Sequence, residues 1–151
     1  MILQNLEIYK VSTTKQAITS FAGLPLLLGM ARSLGLEEDL NALPIKKRER
    51  GYSPAETTLT LMGLLQAGGA ALDDVSLLRG DEGLRSLLGE IPAANTLGEY
   101  LRRYGATAVC RLGRTQLKTA AKVVRASGLK SVVLDVDAFF LESQKSDVAM
   151  N

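Results

Sequence analysis

The chain has 151 residues, 46% of them apolar and 23% charged, with a formal net charge of +2. These proportions are those of one soluble domain with a hydrophobic core. It contains no histidine and a single cysteine, Cys110, which excludes an internal disulfide, histidine-based triads and zinc sites. The longest apolar stretch, Phe21 to Ala31, contains Gly23, Pro25 and Gly29 and stops at Arg32, well short of the roughly 20 residues that span a bilayer. Residues 1–10 lack both a basic head and a small-residue cleavage site, so no export signal is expected and a cytoplasmic location is.

The stretch around Leu6, Ile8 and Val11 suits a short strand or an irregular arm. Thr13 or Thr14 then offers an N-cap for a helix to about Leu34, with Leu24, Leu27, Leu28 and Ala31 at helical spacing and Gly35 as its stop. A short acidic helix is expected from Glu37 to Leu43, ended by Pro44. Lys46 to Gly51 reads as a solvated basic connector and a secondary candidate for phosphate contact. Ser53-Pro54-Ala55-Glu56 combines a capping serine, a proline pre-set for the first helical position and the glutamate of a capping box. Its helix should reach about Ala67, with Leu59, Met62, Leu65 and Gln66 sharing one face and Leu61 and Leu64 widening it. Short helices are expected over Leu72 to Leu78 and Asp81 to Leu88, and another over Leu97 to Arg103 capped by Asn95 or Thr96. The longest runs from Thr107 to Ala126, with Ser127-Gly128 as its end.

The period then changes. Ser131 to Leu141, with its β-branched and aromatic residues, reads as one strand buried on both faces. A single strand leaves an apolar edge unpaired, so association of the chain, with itself or with another protein, is expected.

Charge is unevenly placed: residues 101–134 hold eight basic and no acidic side chains, whereas residues 135–151 hold one basic and four acidic. On the long helix Arg111, Arg114, Lys118, Lys122 and Arg125 follow spacings of three, four, four and three, a stripe about 80° wide at 100° per residue. Leu112, Val109, Ala120, Val124, Leu117 and Cys110 fall outside it, and Cys110 is expected in the core. Five like charges repel one another, a cost offset if DNA phosphate lies against them. The other reading is a solvated face of a long helix. Asp135 and Asp137, two apart on a strand, project from one face. Two such acids suit a magnesium ion with hard oxygen ligands, or stand as a strand-end pair facing water.

The Asp-x-Asp strand is similar to the opening strand of haloacid-dehalogenase-like phosphatases and to a segment of translesion DNA polymerases, but in both it starts the catalytic domain near the beginning of the chain. The upstream residues decide. Gly51-Tyr52-Ser53-Pro54-Ala55-Glu56, Gly68-Gly69 with Leu72-Asp73-Asp74, Leu77-Leu78-Arg79, Leu84-Arg85-Ser86-Leu87-Leu88-Gly89, and Pro92 with Asn95 to Arg103 resemble, in order and spacing, the helical region of group 1 DDE-domain insertion-sequence transposases. Leu134 to Ser143 with Lys145 looks like that family's first catalytic strand, and the resemblance covers roughly residues 13–150.

The resemblance implies a mainly α fold: a helical amino-terminal domain over residues 1–130, followed over 131–151 by the first β-strand of an incomplete ribonuclease-H-like fold. It implies that Asp137 is the first metal ligand of the catalytic triad, with Asp135 the preceding acid, and that the intact enzyme uses Mg2+ to cleave and join DNA. Phe139 departs from the threonine typical of the family. The second aspartate and the glutamate of the triad have no counterpart here, so the expectation is a truncated transposase that binds DNA and is catalytically incomplete alone. Alternatives are a stand-alone DNA-binding or transposition-inhibiting module that assembles with an intact transposase, and an Asp-x-Asp phosphatase-like enzyme with Asp135 as nucleophile.

Overall fold

A computed structural model describes residues 15–45, 51–133 and 135–136, and these residues are mainly helical. The amino-terminal arm, the connector Lys46 to Arg50 and most of the expected terminal strand, Asp137 included, lie outside the described residues.

The first helix, α1 (Gly23–Ser33), starts later than its apolar spacing suggested. Residues 15–22 are not helical, because their polar groups are bonded elsewhere. The Thr19 hydroxyl donates to Asp81 Oδ2 at 2.9 Å, the Ser20 N–H donates to the same oxygen at 3.1 Å, and the Phe21 N–H donates to Thr19 Oγ1 at 3.0 Å. After Leu34 the chain turns at Gly35, whose φ of 73° is the left-handed conformation that favours glycine, and enters α2 (Leu36–Asn41).

The capping box of α3 (Pro54–Gln66) forms as its sequence requires. The Glu56 N–H donates to Ser53 Oγ at 3.1 Å and the Ser53 N–H donates to Glu56 Oε2 at 2.6 Å. Asn41 Oδ1 accepts from the Ala55 N–H at 3.2 Å, which joins the end of α2 to the first turn of α3. The buried face differs from the expected one. Ala55, Leu59, Gly63 and Leu64 are buried, whereas Leu65 and Gln66 are exposed. The small residues Ala55 and Gly63 lie on this buried face, and a Cβ on Gly63 would be in ordinary contact with Leu24 at 3.9 Å.

A 3-10 turn (Leu72–Asp74) leads into α4 (Val75–Gly80), and the Asp74 carboxylate accepts from the Ala70 and Ala71 N–H groups at 2.8 and 2.9 Å. Asp81 caps α5 (Glu82–Leu88), its Oδ1 accepting from the Leu84 N–H at 2.7 Å. Helix α6 (Ala94–Leu101) begins before the expected Asn95 or Thr96 cap, without a side-chain cap. Buried Pro92 precedes it, and a proline cannot extend a helix backwards past itself easily. Last comes α7 (Ala106–Ala126), closed by Ser127 and by Gly128 at φ 68°.

Two apolar clusters form the core. One gathers Leu28, Leu40, Leu59, Tyr100 and Ala108; the other gathers Leu24, Leu64, Val75, Leu84 and Leu97; Leu61 and Leu88 pack against both. Tyr100 ties α6 to α3: its hydroxyl donates to the Pro54 carbonyl at 3.1 Å and lies 2.8 Å from Thr58 Oγ1 and 2.9 Å from Tyr104 Oη. Burial pushes the phenol pKa well above its ordinary value, so the hydroxyl stays a neutral donor.

Candidate nucleic-acid interface

Helix α7 packs on α2. Its inward side carries buried Ala108 and the partly buried Leu112, Thr115, Thr119 and Lys122, at spacings of four, three, four and three that trace one face of a helix. The basic stripe borders this side. That geometry divides the five candidate residues into two groups.

Lys118 and Lys122 reach inward. Lys118 Nζ lies 2.6 Å from Asp39 Oδ1, and Lys122 Nζ lies 3.9 Å from Asp39 Oδ2 while donating to the Leu34 carbonyl oxygen at the end of α1. A cation at a helix C-terminus complements the partial negative charge of its unpaired carbonyls. Asp39 is the shared anchor, its side chain 21% exposed. Arg111, Arg114 and Arg125 are exposed and form no ion pair among the described residues. Lys130 is exposed just beyond the helix, and Arg102 is exposed just before it. Arg103 is held otherwise, its guanidinium 5.5 Å from the centre of the Tyr100 ring.

The open part of the stripe is therefore three arginines on a helix that carries no acidic residue. A planar guanidinium presents several donors to a phosphate in a fixed fork, and its charge is permanent. Asp39 was the residue that sequence reasoning missed. Its one signal was the acidic run Glu37-Glu38-Asp39, which gives no indication that it meets residues some 80 positions later.

Cys110 is exposed, a correction to its expected place in the core. Val109 and Leu117 are exposed as well, because α7 touches the body on one side only and nothing among the described residues covers the other.

The carboxylate pair is not brought together in the described residues. Asp135 is exposed in a segment where residues 131–133 and 135–136 are not in a strand, and Asp137 lies outside. No group of three or more Asp, Glu, Cys or His side chains among the described residues is placed to hold a metal ion. No described helix is long and apolar enough to cross a membrane. No protein-family model matches the chain, and neither a curated protein nor a solved structure matches it.

Proposed function

We propose that this chain is an amino-terminal region of a DDE-type insertion-sequence transposase and that α7 holds DNA by its phosphate backbone. The observation that carries the reading is the exposed row Arg111, Arg114 and Arg125 on an acid-free helix. The helix start at Ser53, which belongs to a segment resembling the transposase family, supports it further. In this reading residues 131–141 form the first strand of a ribonuclease-H-like fold, with Asp137 and Asp135 at its metal site. Mg2+ would supply the activation of the attacking oxygen and stabilisation of the leaving one. Asp137 is the position that matches the family's triad, and the function proposed for the described helices is DNA binding.

The stripe carries no amide side chain placed to read base edges, since Gln116 lies off it, so binding is insensitive to sequence and sensitive to salt. Fluorescence anisotropy with a labelled duplex tests this. Affinity should fall steeply between low and moderate salt. Replacing Arg111, Arg114 and Arg125 together by glutamine should remove about 0.9 from the logarithmic salt slope per lost contact. Salt-insensitive binding, or a triple variant that binds like the parent, would defeat the phosphate reading.

A further inference from the structure

The two apolar clusters of the core do not close completely on one another. Between α1, α3, α4 and α5 they leave a cavity of about 360 Å³, lined by Leu28 and Leu59 of one cluster and by Leu24, Leu78, Leu84 and Ile91 of the other. These six residues are at most 7% exposed. The charged residues of the same wall are open to solvent: the side chains of Arg32, Glu37 and Glu90 are 55%, 39% and 76% exposed, and Glu56 is exposed too. The cavity therefore has an apolar floor and a charged mouth. Protein interiors seldom hold voids larger than a water molecule, because the lining atoms lose contacts across them. This volume is instead that of a small-molecule site, roughly 300–1,000 Å³. We propose that the cavity binds a small amphiphilic cation, an amine carried on an apolar body.

Charge at the mouth selects the head group. Arg32 is committed to Glu37, its Nε donating to Oε2 at 3.0 Å, and Glu56 is held in place with its Oε2 accepting from the Ser53 N–H. Glu90 meets Arg85 at 3.6 Å, a contact between two exposed side chains that holds it weakly. Three carboxylates thus stand against one guanidinium along the wall. An ammonium group entering the mouth meets acceptors on Glu56 and Glu90. A carboxylate or phosphate would have to displace Glu37 from Arg32 and leave that acid facing it.

Depth selects the body. Leu84 is 0% and Leu78 3% exposed, out of reach of a flat protein surface, so the floor suits a ligand that enters. With no polar side chain among its six residues, it suits a hydrocarbon chain or ring. Gly63 supplies room on the α3 side, where a Cβ would have Leu24 Cδ1 3.9 Å away. The site shares no residue with the α7 stripe and stands whether or not the transposase reading holds.

Amide NMR titration of the full chain with octylamine, octanol and octanoate tests the proposal. Octylamine, an ammonium ion at neutral pH, should shift the amides of Gly63 and Leu88, which line the cavity, with a saturable Kd on the order of a millimolar or below. It should bind about ten-fold more tightly than octanoate, with octanol between them. Gly63→Leu fills the floor and should abolish these shifts while circular dichroism shows unchanged helix content. Glu90→Gln, at an exposed position, should leave octanol binding unchanged and reduce the preference for octylamine over octanoate about three-fold. Octylamine that gives no saturable shift at these amides, octanoate that binds as tightly, or a folded Gly63→Leu chain that binds like the parent overturns the proposal. An unchanged preference in Glu90→Gln overturns it as well, and decides the matter should Gly63→Leu fail to fold.

Discussion

Gly83 marks the closest approach between the lead-in segment and α5. A Cβ added there would lie 2.6 Å from the Ile18 carbonyl carbon and 2.7 Å from the Thr19 nitrogen. Both are backbone atoms, so neither can swing aside. Gly83→Ala should cost about 1–3 kcal/mol as an overpacking change, measured by urea unfolding. Gly80→Ala, where a Cβ meets nothing within 4 Å, should leave stability unchanged or slightly higher. Equal losses at both positions would mean the contact with residues 18 and 19 is not formed in solution. Tyr100 makes the second argument at this scale. Its hydroxyl is shared by Pro54, Thr58 and Tyr104 in a buried position, and the two tyrosine rings meet edge to face at 5.3 Å. Tyr100→Phe keeps the ring and removes the hydroxyl, which should cost about 1–2 kcal/mol through groups left without a partner. A neutral result would show that water or Tyr104 replaces it.

At the scale of elements, legibility follows from whether the deciding interaction is local. Ser53, Pro54 and Glu56 lie within four residues and fix the start of α3, and Asp81 fixes that of α5, so both were readable from the sequence. The start of α1 was not, because Thr19 and Ser20 are held by Asp81, some 60 residues away. The face of α3 was misplaced because counting large apolar residues overlooks the small and polar residues Ala55, Thr57 and Gly63 that are buried there. Asp81 connects both kinds of interaction, capping α5 with one oxygen and holding residues 19 and 20 with the other. The backbone hydrogen bond from Leu84 foremost, opposed by some desolvation and aided by Ser20 and Thr19, lowers its pKa below the ordinary carboxylate value. A lowered folded-state pKa means stability that is present above the unfolded value, about 3.9, and is lost as pH falls through the folded value. Asp81→Asn should therefore lower Tm at neutral pH and flatten the decline below about pH 4. An unchanged acid profile would show that other carboxylates set the acid limit.

For the whole molecule, the decisive relation is between α7 and the pair α1 and α2. The five-residue basic stripe was legible as a pattern on one helix, but the division of its members was not, because Asp39 meets Lys118 only after the chain has folded across 79 positions. That division leads to a test with a definite sign. The Lys118 side chain is 56% exposed and its pair with Asp39 is partly solvated, so the pair is worth at most about 1 kcal/mol and a phosphate backbone can compete for the lysine. Asp39→Asn removes the competing charge while nearly preserving shape. If α7 is a phosphate-binding helix, the variant should bind duplex DNA more tightly than the parent. Its logarithmic salt slope should steepen by up to about 1.8, the contribution of two further lysine contacts. Hydrogen exchange in the same variant should accelerate in α7 around Lys118 to Lys122 and leave α3 unchanged, because the anchor holds only the former. Tighter binding together with locally faster exchange means that Asp39 restrains both the position of α7 and its charge. Faster exchange with unaltered affinity would make the two lysines structural posts and confine any DNA contact to Arg111, Arg114 and Arg125.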